Sequence, residues 1–183
     1  MYTESNVKLS CNALWQKYVL ATLYRAAATH PKIKLLQFKL IPCPGMNKAI
    51  PSLMADFTGE LHRLISEYLQ CKRRKDKSVE PAPLYYLWSR EAVANDTTPY
   101  LMVLLLNNDV WCKSREVVAL RNLIEQAWGK VLGEDNSITH LVVYPEVLSL
   151  VFDAANTYWI CPYISRHLLS LNPLLACCRR YSR

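Results

Sequence analysis

The residues of this sequence that could do chemistry are scattered, and the densest group of them is cationic. Lys72-Arg73-Arg74-Lys75 sets four bases in a row, and Arg179, Arg180 and Arg183 close the chain. Guanidinium and ammonium groups bind phosphate and carboxylate alike, so nucleic acid and an acidic protein surface are both candidate partners. The four histidines (His30, His62, His140, His167) fall on different segments without paired spacing. The seven cysteines contain no Cys-x-x-Cys pair, which argues against a structural zinc. Cys177-Cys178 reads as buried or simply unpaired thiols. Tyr163 and Tyr181 are nucleophile candidates outside any recognisable motif. Glu91 could bind an ion, but a lone carboxylate is not a site.

The chain has 183 residues, is 51% hydrophobic and 20% charged, and carries a net charge of +7. Those values describe one folded domain, 1–183, long enough to bury a substantial core. The net positive charge adds to the case for a polyanionic or acidic partner. Four glycines leave little room for a Gly-rich phosphate loop. The polar opening Met1-Tyr-Thr-Glu-Ser-Asn and the odd cysteine count point to reduced thiols in the cytoplasm. The longest apolar run, Leu101–Leu106, is far too short to span a bilayer. No cofactor and no membrane contact are expected.

Periodicity places the elements that carry these residues. Leu14 to about Ala28 predicts a helix, ended by His30-Pro31 because a residue before proline is pushed out of the helical region. Ile33–Ile41 predicts a strand with one wetter face, where Lys34, Gln37 and Lys39 interrupt the apolar residues. Ser52 to about Cys71 is an amphipathic helix with Met54, Phe57, Leu61, Leu64, Ile65 and Tyr68 on one face. Strands at Leu84–Arg90 and Tyr100–Asn107 form a hairpin. Ser114–Leu132 is a helix that buries Val117, Leu120, Ile124, Ala127, Trp128 and Val131, with Gly133 placed to end it in a left-handed conformation. A short strand at His140–Tyr144, an irregular stretch, and a helix at Ile164–Leu171 complete the order. The expected fold is α+β, a mainly antiparallel sheet covered by helices.

The hairpin also carries a resemblance. Leu84-Tyr-Tyr-Leu-Trp-Ser-Arg-Glu91, Pro99 with Val103-Leu-Leu-Leu-Asn-Asn-Asp109, Ile124-Glu-Gln-Ala-Trp128 with Leu132-Gly133, and Leu141-Val-Val-Tyr-Pro145 follow one another in unbroken order. Together with His30-Pro31 and Leu40-Ile-Pro42 they resemble the YagK/YfjJ C-terminal-domain family over about residues 28–150. That family is an inovirus-type replication-protein-like group of phages, prophages and phage satellites. The resemblance implies a fold like that of rolling-circle initiators (HUH-like). In such proteins two histidines, one residue apart on a strand, hold a divalent metal that polarises a DNA phosphate. The second hairpin strand of the family begins Pro-His-x-His. Here those positions are Tyr100 and Met102, and a phenol and a thioether are poor ligands for magnesium or manganese. The expectation is therefore a protein that is not an enzyme.

Two partner classes follow. The resemblance implies a satellite or prophage adaptor that binds a phage protein, with the small terminase subunit as candidate, to redirect DNA packaging. Its partner-binding residues would lie in the poorly matched ends: Trp15, Tyr18, Tyr158, Trp159, Tyr163, Arg179 and Arg180. The alternative is a replication or regulatory protein that recognises DNA without cutting it, through Lys72, Arg73, Arg74 and Lys75. Of the hairpin aromatics Tyr85, Tyr86, Trp88 and Tyr100, one set should be core, and the other is available for stacking or docking.

Overall fold

The computed structural model describes residues 4–44, 50–75, 83–90, 98–133, 141–144 and 149–153, with backbone alone for 4–15, 50–51, 75 and 149–153. Its elements in chain order are α1 (Glu4–Thr29), β1 (Lys32–Leu40), α2 (Ile50–Lys75), β2 (Tyr85–Arg90), β3 (Tyr100–Asn107), α3 (Asn108–Trp111), α4 (Ser114–Leu132), β4 (Val142–Val143) and β5 (Ser149–Asp153). The fold is α+β, with an antiparallel sheet ordered β2-β3-β1-β4 and with β5 also paired to β1.

β1 lies at the centre. It pairs with β3 along its whole length, from Ile33 opposite Asn107 to Leu40 opposite Tyr100. Its other edge is shared by β5, opposite 32–36, and β4, opposite Lys39 and Leu40. A central strand is covered on both faces and tolerates few polar side chains. The wetter face expected from Lys34, Gln37 and Lys39 is accordingly absent: Lys34 and Gln37 are buried, and Lys39 is exposed. Lys34 keeps its charge solvated by donating from Nζ to the Trp111 carbonyl at 3.0 Å.

Alternation sorts the strands into two cores. Leu36, Phe38, Leu40, Tyr100, Met102, Leu104 and Leu106 face α2 and α4, packing on Met54, Phe57, Leu61, Leu120, Ile124 and Trp128. The opposite face offers Ile33, Leu35, Leu87, Val103 and Leu105 to Val19, Leu23 and Ala26 of α1. Phe57 meets Trp128 edge-on at 5.6 Å between centroids, and Trp128 Nε1 donates to the Ile41 carbonyl at 3.1 Å. That bond lets a large ring with a polar edge be fully buried. Gly133 ends α4 at φ 75°, its N–H returning to the Lys130 carbonyl at 3.2 Å. Among the described residues no helix is long and apolar enough to cross a membrane. The helix expected at Ile164–Leu171 lies outside the described residues.

Candidate functional site

The two hairpin positions where the resemblance calls for metal ligands point into the larger core. Tyr100 is 2% exposed and Met102 0%, on the face covered by α2 and α4. Opposite them in the register stand Arg90 and Trp88. The Tyr100 ring meets Trp88 edge-on at 6.3 Å and Trp128 at 6.2 Å, and the Arg90 guanidinium carbon lies 5.2 Å from its centroid. Burial pushes the Tyr100 phenol above its ordinary value, with the Arg90 charge opposing. The phenol therefore stays neutral and does not act as an anionic ligand at physiological pH. Of the hairpin aromatics, Tyr86, Trp88 and Tyr100 join this core, whereas Tyr85 packs on the α1 side. Glu91 lies outside the described residues. Among the described residues, no three His, Cys, Asp or Glu side chains gather where one ion could be held.

The histidines are dispersed in space as in sequence. His62 is exposed on α2, and His140 and His167 lie outside the described residues. His30 is buried where α1 ends, against Tyr85 at 5.6 Å between centroids, and among the described residues its Nε2 meets no hydrogen-bond partner. Burial lowers its pKa, so the ring is held neutral. Cys71 and Cys112 are exposed free thiols, and Cys43 is half-buried. Tyr163, Tyr181, Cys177 and Cys178 fall outside the described residues.

Within the basic run the structure separates the side chains. Lys72 is half-buried: its Nζ lies 2.7 Å from Oε1 of Glu116 and 3.5 Å from the Val110 carbonyl. Arg73 and Arg74 are exposed, and Lys75 is the last residue of α2. Glu116, 2% exposed, occupies the third position of α4 and also accepts the Lys113 backbone N–H through Oε2 at 3.0 Å. Desolvation pushes the Glu116 carboxyl up, but Lys72 and the Lys113 N–H outweigh it, so the group is held below the usual carboxylate range. The ion pair ties the end of α2 to the start of α4, 44 residues apart. It thereby sets the turn that carries the exposed Arg73 and Arg74 against the start of α4, where Lys113 and Arg115 are also exposed. Sequence reasoning missed Lys113, Arg115 and Glu116. A glutamate three residues into a helix is a known capping pattern, which could have flagged Glu116; nothing local pairs it with Lys72.

Of the residues expected to dock a protein partner, Trp15 lies on α1 in the part described by backbone alone, and Tyr18 is exposed. Tyr158, Trp159, Tyr163, Arg179 and Arg180 lie outside the described residues. The outer face of α1 also exposes Tyr24, flanked by Lys17 and Arg25, which sequence reasoning passed over.

The model of the YagK/YfjJ C-terminal domain family matches residues 2–157. The match reaches back through the whole of α1, so the family-like core is wider than the expected 28–150. The α1 side of the sheet explains why, since Val19, Leu23 and Ala26 are needed to cover it. A segment of 25 residues is 92% identical to protein YoeA of Escherichia coli (strain K12), covering 14% of this chain and 19% of that protein. No solved structure gives a significant match.

Proposed function

Because this chain belongs to the YagK/YfjJ C-terminal domain family, we propose that it is a non-catalytic binding protein of a phage-related mobile element, which keeps the family's sheet as a scaffold and acts by holding a partner. The observation that carries this reading is the burial of Tyr100 and Met102 in the α2/α4 core. Side chains packed that way cannot turn to an ion and a phosphate without opening the core, and neither is a suitable ligand for a hard cation.

The described surface favours nucleic acid as the partner, through the exposed bases of α2 and the start of α4. Packaging redirection, by capture of a phage protein such as the small terminase subunit, is the second reading. It is supported by the exposed Tyr18 and Tyr24 on α1, since tyrosines beside cations are frequent anchors in protein interfaces. Incubation of the full chain with single- and double-stranded DNA plus magnesium or manganese should leave the DNA intact. Metal-dependent nicking that persists through repeated purification would sink the non-catalytic reading. Calorimetry against the small terminase subunit and against duplex DNA then decides between the partners.

A further inference from the structure

We infer that the end of α2 and the start of α4 form one composite surface for a nucleic-acid backbone, and that the ion pair between half-buried Lys72 and buried Glu116 positions it. This deepens the nucleic-acid reading above and rests on it. The surface takes Arg73 and Arg74 from one helix and Lys113 and Arg115 from another, all exposed. Arg115 is 77% exposed, although its Nε lies 3.6 Å from Glu116 Oε1. Among the described residues, the acids on the contributing turns are Glu116, which is paired with Lys72, and Asp109 of α3; Asp76 lies outside the described residues. The positive end of the α4 helix dipole adds to the field there, and the negative end of α2, whose last turn carries Arg73 and Arg74, opposes it.

The location separates this surface from the hairpin positions discussed above. β3 runs from Tyr100 to Asn107 and leads directly into α3. At about 3.3 Å per strand residue, the Val110 carbonyl that Lys72 touches is more than about 23 Å of chain from Tyr100. The composition of the surface favours phosphate over protein. Protein interfaces draw their energy from buried aromatic or apolar anchors ringed by charge. Here the nearby aromatics are already spent, Tyr68 stacking on the buried Trp111 at 5.5 Å. The exposed apolar side chain of α4 is Val118, a weak anchor. Guanidinium groups without an apolar centre suit a repeating line of phosphates.

Glu116 has a particular part in this arrangement. It contributes negative charge to a surface that should bind an anion, so charge counting alone says its removal helps. Its two oxygens instead hold Lys72 and the Lys113 N–H together, and so keep the two cationic segments side by side. Glu116 is a positioning residue, and the two accounts predict opposite signs.

The test is fluorescence anisotropy of the full chain with two unrelated 20-base-pair duplexes over a series of salt concentrations. Arg73→Ala with Arg74→Ala, and separately Lys113→Ala with Arg115→Ala, should weaken binding to both duplexes alike. Each pair should also reduce the log–log salt slope by about 2, at roughly 0.9 per phosphate contact. Lys17→Ala, an exposed cation on α1 across the sheet, should leave the slope unchanged. Glu116→Gln, checked for an intact circular dichroism spectrum, should weaken binding about tenfold even though it raises the net charge. Tighter binding by a folded Glu116→Gln protein would overturn the positioning role. Unchanged slopes in both double variants would overturn the surface itself, whether or not Glu116→Gln folds. Capture of poly-glutamate with no duplex affinity would overturn it in favour of an acidic protein partner. Cleavage of the duplex with these slope changes intact would instead remove the non-catalytic reading and leave this surface standing.

Discussion

Placing histidines at the two hairpin positions where the resemblance calls for them should damage this protein before it gives it a metal. In Tyr100→His with Met102→His, both substituted side chains enter the core between the sheet and α2/α4, where the native ones are 2% and 0% exposed. Replacing a buried methionine by a smaller polar ring forfeits about 2 kcal/mol of apolar burial. The smaller loss at Tyr100, together with its edge contacts to Trp88 and Trp128, adds about 1 kcal/mol. Each imidazole also brings polar nitrogens into a site lined by rings and aliphatic chains, at about 1–3 kcal/mol apiece when unpaired. The total is about 5 kcal/mol or more, a large part of the roughly 5–15 kcal/mol that holds a typical domain together. Urea unfolding should show the midpoint falling by about 2 M, taking a slope of about 2–3 kcal/mol/M. Manganese should not restore it. If the double variant keeps a native midpoint and saturating manganese (about 100-fold over Kd) stabilises it by about 2.7 kcal/mol, then these positions can reach an ion and the argument from burial fails.

Further expectations concern three supports of the fold. Glu116→Ala should cost about 3 kcal/mol, because it strands Lys72 in a half-buried position; a double-mutant cycle with Lys72→Met checks that the loss belongs to the pair. The native Glu116 carboxyl titrates below its ordinary range, so its stabilisation is present above about pH 4.3 and is lost as pH falls through the lowered value. Chemical denaturation from pH 6 to 3 should be less steep for Glu116→Gln than for the native chain. His30 is held neutral by burial, so the unfolded chain takes up its proton first and stability falls as pH drops below about 6.5. His30→Phe, which keeps a ring against Tyr85, should flatten the profile between pH 7 and 5, and an unchanged slope there would remove the assignment. Gly133→Ala meets no atom within 4 Å but must hold φ +75°, so a loss of about 1 kcal/mol and a melting point lower by about 2–4 °C is expected from backbone strain alone.

Local pattern determined much of this architecture. The three- and four-residue spacing of Met54, Phe57, Leu61, Leu64 and Ile65, and of Leu120, Ile124, Ala127 and Trp128, predicts the two helices that cover the larger core. The apolar runs on either side of the 91–99 loop predict β2 and β3 with ends correct to one residue, and Gly133 marks the stop of α4. Those features follow from interactions within a few residues of chain, which a linear sequence displays directly.

Pairings between distant residues were decided only in three dimensions. β5 at Ser149–Asp153 reads as irregular by itself and becomes a strand because the edge of β1 offers it hydrogen-bond partners. Lys34 and Gln37 suggest a wet face, yet coverage from α1 on one side and α2/α4 on the other buries both. The run Lys72–Lys75 looks uniform, but Glu116 withdraws Lys72 into the fold and ties the end of α2 to the start of α4, while Arg73 and Arg74 stay exposed. A charge in the sequence states only what a side chain can bind. Which partner it finds, and whether water still reaches it, depends on what the rest of the chain brings alongside.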